Sequence, residues 1–126
     1  MTYGLGPAGY DVRIAESMIL RPGAFALAST VERFTMRNDV IGFVHDKSTW
    51  ARRGLAVQNT VIEPGWRGWL TLELTNHGYN DIQIESGSPI AQVIFHFLPE
   101  ETDLPYAGKY QDQLPGPQPA IFEEGT

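Results

Sequence analysis

The sequence predicts an all-β domain with at most one short helix and an extended C-terminal arm. Strand-like runs recur at short intervals, separated by Gly, Pro, Asn and Asp turn residues. No longer window carries a helical period. After Leu98 the composition shifts to proline among acidic and polar residues. At 126 residues the chain suits a single core. We therefore expect one β domain over residues 1–98 and a Pro-rich arm over 99–126.

In chain order, the expected strands are "YDVRIA", "FALAST", "VIGFVHD", "LAVQNTVI", "WLTLELTN", "IQIE" and "IAQVIFHFL". Gly23, Gly54, "EPGWRG", "NHGYND" and "ESGSP" mark the breaks between them. The one helical candidate is "DKSTWARR", with Asp46 or Ser48 placed to cap it. In "VIEPGWRG", Pro64 presets a backbone angle and Gly65 can take positive φ, so a hairpin should join "LAVQNTVI" to "WLTLELTN". Within the latter run Leu70, Leu72 and Leu74 alternate with Trp69, Thr71, Glu73 and Thr75. The leucines should enter the core and Glu73 should lie on the opposite face.

Composition narrows the function. Hydrophobic residues make up 42% of the chain, enough to bury a real core. No apolar run approaches the length of a membrane span, and the N-terminus lacks a signal-peptide pattern, so a cytoplasmic protein is expected. With no cysteine, disulfides, thiolate catalysis and cysteine-ligated zinc are excluded. The net charge of −6 argues against nucleic acid as a partner, because that affinity rests on extended phosphate neutralisation. A small phosphorylated ligand remains compatible, since a local cation cluster can hold one triphosphate.

Such a cluster exists. Lys47, Arg52 and Arg53 lie beside the hydroxyls of Ser48 and Thr49. A turn or helix start there would offer free N–H groups to an anion, or the arginines could form ordinary surface ion pairs. Glu73 reads either as a solvated strand residue or, if its face lines a pocket, as a proton shuttle whose pKa desolvation raises. Glu63 could simply start the turn at Pro64. The arm is either disordered or a segment that orders over a ligand, with Tyr106 and Tyr110 to stack, Lys109 to meet a phosphate and Gln113 to hydrogen-bond. Carrying little apolar surface, the arm should contribute little to stability.

The block from "KSTWARRGL" through "VIEPGWRGWLTLELTN", followed by "ESGSPIAQVIF" and "PYAGKYQDQ", resembles the dCTP deaminase family, whose fold is shared with trimeric dUTPases. "AGYDVRI" resembles that family's opening strand, and the likeness runs over roughly residues 8–113. It implies a dUTPase-like distorted β-barrel or jelly roll in a compact version of the family. It also implies a homotrimer with active sites at subunit boundaries and a pyrimidine deoxynucleoside triphosphate as substrate.

The resemblance also implies roles for particular residues. Lys47, Ser48, Thr49 and Arg52 fall on the segment that binds the triphosphate, where the family usually begins Arg-Ser-Ser. Glu73, in a Leu-Glu pair with Asn76 shortly after, matches the catalytic glutamate, with Arg52 supporting it. Glu63 stands where the family has Asp against the deoxyribose, and Thr71 and Leu72 fall among the nucleotide-binding residues. Tyr106, Lys109 and Gln113 match the segment that closes on the nucleotide. Mg²⁺ would arrive bound to the triphosphate, and no zinc is implied. The implied reaction is hydrolysis of dCTP, or a C5-modified dCTP, to the corresponding dUTP and ammonia. A dUTPase, a bifunctional enzyme and a nucleotide-sensing module on the same fold are the alternatives.

Overall fold

The computed structural model describes residues 4–123. Its strands are β1 (Gly4–Leu5), β2 (Tyr10–Arg13), β3 (Met18–Leu20), β4 (Phe25–Thr35), β5 (Val40–Asp46), β6 (Leu55–Val57), β7 (Val61–Ile62), β8 (Arg67–Asn76), β9 (Ile82–Ile84) and β10 (Pro89–Phe97). Among the described residues a single helix, α1 (Ser48–Ala51), interrupts them. The strands form a five-stranded sheet of order β1-β2-β10-β5-β7, a three-stranded sheet β4-β8-β6 and a two-stranded ribbon β3-β9. This is the nearly all-β architecture expected from the turn spacing.

The core lies between these layers. Val12, Ile14, Leu72, Leu74, Ile90 and Val93 are fully buried within it. In β8, Leu72 and Leu74 point inward as the alternation requires, and Leu70 packs against the same cluster. The β4–β8 pairing shifts register between Ser29 and Arg33. There the Thr30 hydroxyl accepts a hydrogen bond from the Leu70 N–H at 3.1 Å and donates to the Glu32 carbonyl at 2.8 Å, satisfying backbone groups that the irregularity leaves out of the ladder.

The structure corrects three local expectations. The run 55–62 is not one strand: β6 pairs with β8, whereas β7 pairs with β5 in the other sheet. Consequently the Pro64–Gly65 turn links two sheets and does not close a hairpin between neighbours. Its geometry is otherwise as expected, with Gly65 at φ 85° and the Trp66 N–H donating to the Glu63 carbonyl at 3.2 Å. Finally, neither Asp46 nor Ser48 caps α1: the residue preceding the helix is Lys47, and no side-chain cap bond forms. The Asp46 carboxylate instead accepts from the Val57 N–H at 2.7 Å. What anchors this short helix is Trp50, buried, with its indole N–H donating to the Pro89 carbonyl at 2.7 Å.

Among the described residues the arm contains no strand, yet it is bound closely to the preceding β structure. The Tyr106 N–H donates to the Pro64 carbonyl at 2.8 Å, and the Trp66 indole N–H donates to the Tyr110 carbonyl at 2.7 Å. Arg67 and Asp112 form a two-pronged ion pair at 2.9 and 3.1 Å. A parallel bridge joins Gly68 to Gln113. Gly68 has φ 143°, and a Cβ there would come within 2.6 Å of the Gln113 nitrogen, so only glycine admits the arm this closely. The last three residues of the expected arm lie outside the described residues. Among the described residues no helix is long and apolar enough to cross a membrane.

Candidate functional site

The switch of the chain from one sheet to the other between Gln58 and Val61 opens a gap beside β8. A cleft of about 700 Å³ fills it, within the range of small-molecule sites. One wall is β8 itself, with Leu70, Thr71 and Glu73; the 59–63 segment forms a second wall and the arm covers the third side. Glu73 is half-buried, and in the β4–β8 register it stands opposite Leu27, which also lines the cleft. Burial among such groups pushes its carboxyl pKa upward. A carboxylate so placed is able to take a proton near neutrality more readily than one in water.

The cleft brings together six of the residues singled out in the sequence: Glu63, Thr71, Glu73, Tyr106, Tyr110 and Gln113. Glu63 is exposed at its edge, immediately before the turn. The Tyr106 hydroxyl accepts from the Tyr110 N–H at 2.9 Å, which fixes the ring in the arm. The Thr71 hydroxyl, nearly buried, accepts from the Gln118 N–H at 3.2 Å. Leu72 is different: its side chain is fully buried in the core, so only its backbone could meet a ligand.

The cations lie elsewhere on the chain. Lys47 directs its ammonium to the buried Asp11 at 2.8 Å. Ser48, Thr49 and Arg52 are exposed on and after α1. Arg52 and Arg53 border a second cleft with Gly54, Gly78 and Tyr79, and the Arg53 guanidinium stacks 4.9 Å from the Trp50 ring centroid. Lys109 sits on the arm outside the main cleft, 3.5 Å from Glu123 and over the Tyr110 ring. The main cleft thus carries two carboxylates and has no Lys or Arg in its lining.

Trp66, Asn59 and Gln118 are among the cleft residues that the sequence does not mark as site residues. Trp66 is buried beneath the arm, and its place in the turn "EPGW" was the available signal. Asn59 touches β8 through its side chain. Gln118 had no signal at all, lying in a stretch of prolines. Among the described residues no group of three or more His, Asp or Glu side chains is arranged to hold a metal ion.

The protein is thus a nearly all-β domain that carries an acidic, half-covered cleft against the central strand of its three-stranded sheet. A family model described as dCTP deaminase-like matches residues 5–98, and the chain belongs to that family. A dCTP deaminase of Campylobacter fetus subsp. fetus is 35% identical over 145 residues, covering 90% of this chain and 78% of that protein. One from Francisella tularensis subsp. novicida is 33% identical over 146 residues, with coverage of 90% and 78%. Among solved structures, native EIAV dUTPase superposes with a TM-score of 0.67 at 23% identity, covering 79% of this chain and 82% of that one. The dUTPase of Staphylococcus bacteriophage 80alpha with dUPNHPP gives a TM-score of 0.67 at 19% identity, covering 87% and 88%. The dUTPase-like fold expected from the sequence is therefore the fold of this chain.

Proposed function

We propose that this protein deaminates dCTP, or dCTP modified at C5 of the base, yielding the corresponding dUTP and ammonia. The observation that carries the reading is Glu73: half-buried, raised in pKa, and facing a nucleotide-sized cleft in a chain one-third identical to dCTP deaminases. Glu73 takes a proton from water as that water attacks C4 of the base. It returns the proton to the departing amino group as the tetrahedral intermediate collapses. The 55–61 segment, with the Thr60 hydroxyl and its backbone carbonyls, orients the water. Glu63 holds the deoxyribose, and Thr71 and the Leu72 backbone border the base.

A triphosphate needs cations that the cleft of one chain does not supply. We assign the positive charge to Arg52 of a neighbouring copy in a homotrimer, with hydrogen bonds from its Ser48 and Thr49 hydroxyls, and with Arg52 also steadying the water beside Glu73; Lys47, which ion-pairs with Asp11 within its own chain, holds the base of this segment in place. The exposure of Ser48, Thr49 and Arg52 in the isolated chain supports this reading. Lys109 on the arm adds a further cation as Tyr106 and Gln113 close over the nucleotide. Mg²⁺ enters as part of the substrate, ligated by phosphate oxygens and water.

A second reading is dUTP hydrolysis, alone or alongside deamination. It is favoured by Glu63 at the edge of the same cleft, where a carboxylate can orient a water toward the α-phosphorus. Incubation with each pyrimidine deoxynucleoside triphosphate tests both. Ammonia and dUTP from dCTP are expected. Pyrophosphate and dUMP from dUTP, with no ammonia from dCTP, would replace the deaminase by the dUTPase, and no turnover of any of them would sink both.

A further inference from the structure

The outer edge of β8 is completed by pieces that are not strands. β6 pairs with it from Asn76 to Leu74, and the Gln58 N–H then donates to the Glu73 carbonyl at 2.9 Å. Beyond that point the main chain leaves for the other sheet, and the ladder would be left open at the residue that faces the cleft. The side chain of Asn59 fills the opening. Its Oδ1 accepts from the Glu73 N–H at 3.0 Å, and its Nδ2 donates to the Thr71 carbonyl at 2.7 Å.

We propose that Asn59 is the positioning residue for Glu73, its primary amide standing in for one residue of β-strand backbone so that the chain can turn away and leave the cleft open. This rests on the assignment of Glu73 as proton shuttle. The side-chain amide is suited to the task because it presents an acceptor and a donor a short distance apart, as a peptide group does. Aspartate lacks the donor when ionised, serine is too short to span both partners, and a main-chain strand at this position would fill the space that the substrate needs. By tying both flanks of Leu72, Asn59 also keeps bulk water from the backbone beneath Glu73.

Three measurements test this, two of them independent of turnover. In the full-length wild-type protein, hydrogen exchange at the Glu73 amide should be slow, like that of a paired strand residue. Exchange as fast as at an unpaired edge would overturn the proposal without any variant. In Asn59→Ala, kcat for dCTP should fall at least about tenfold with KM changed far less, as expected for misplacement of a reacting group. The Glu73 carboxyl, followed by carbon NMR, should titrate lower than in the wild type as water reaches it. Glu63, Tyr106 and Tyr110 are the other titratable groups lining the cleft, and desolvation alone underlies the raised Glu73 pKa. An Asn59→Ala enzyme with wild-type kcat and an unmoved titration refutes the positioning role and leaves the deaminase reading intact. Slow exchange and a shifted titration in a protein that turns over no nucleotide would support the positioning role and refute the activity.

Discussion

Gln113 grips Trp69 at both ends of one peptide register: its carbonyl accepts from the Trp69 N–H at 3.1 Å, and its side-chain amide donates to the Trp69 carbonyl at 2.8 Å. The arm is thus joined to the strand that carries Glu73, four residues from it. Position along β8 and closure of the arm are one structural fact.

Truncation after Leu104 should accordingly do more than abolish turnover. Beside the exposed Arg67–Asp112 ion pair, the arm makes eight hydrogen bonds to residues 64–71. At a net value of about 0.5–1.5 kcal/mol for a typical bond, less where exposed, their sum is a measurable part of the stability of a small domain. We expect a lower Tm by several degrees along with lost activity, in contrast to the sequence-based expectation that stability would be spared. An unchanged melting curve would show that the contacts contribute nothing net.

Gly68→Ala offers a finer cut. The added Cβ meets the Gln113 backbone at a distance no real Cβ tolerates, and the positive φ resists a side chain. The arm should detach while the core folds, so the variant should resemble the truncated protein in activity and Tm. Wild-type activity in Gly68→Ala would mean that the bridge is dispensable.

Glu73→Gln should reduce deamination by about 10²-fold or more while triphosphate binding persists, because the amide keeps size but cannot take the proton. Its effect on stability has a definite sign. Burial raises the Glu73 pKa in the folded state, so the folded chain binds the proton more tightly than the unfolded chain. That contribution is complete below the unfolded pKa and is lost as pH rises through the folded one. At neutral pH the charged side chain therefore destabilises the fold, and Glu73→Gln should melt higher than the wild type at pH 7 but not at pH 4. Survival of turnover in Glu73→Gln, with loss in Glu63→Gln, would transfer the chemistry to Glu63.

Subunit sharing can be read by complementation. If the chain forms the proposed trimer and each site takes its glutamate and arginine from different chains, Glu73→Gln and Arg52→Ala should each be inactive alone, yet random equimolar mixing of their subunits should restore about a quarter of wild-type activity. No recovery on mixing would place both residues in one subunit's site.

The legible parts of this molecule were those governed by local pattern. The run "VIGFVHD" is β5 to the residue, and the alternation in "WLTLELTN" placed Leu72, Leu74 and Glu73 on their observed sides. The run 55–62 misled because its two apolar ends, "LAV" and "VI", look like one strand although they pair in different sheets, the change falling in the polar "QNT" between them. That change depends on a side-chain amide replacing a backbone, and nothing in a propensity distinguishes such an asparagine from a loop residue. Asp46 was read as a cap because its neighbours in sequence form a helix, but its partner, Val57, belongs to the next strand. Strands β1 and β3 are too short for a period to register. Among the cleft residues, the carboxylates and the arm tyrosines declared themselves by chemistry. Asn59 and Gln118 act through contacts that only the folded chain creates.

Without its non-strand partners, β8 would present a bare row of donors and acceptors below Glu73. Such an edge is a template for another chain, and Trp69 and Leu70 would make it adhesive. Asn59 and Gln113 close that row with side-chain amides and an arm that cannot itself extend the sheet, since prolines at 115, 117 and 119 follow at once. The same segments that frame the cleft therefore guard solubility. A mutation that frees the arm should be recognised first by self-association and fibrous aggregation of an otherwise folded protein.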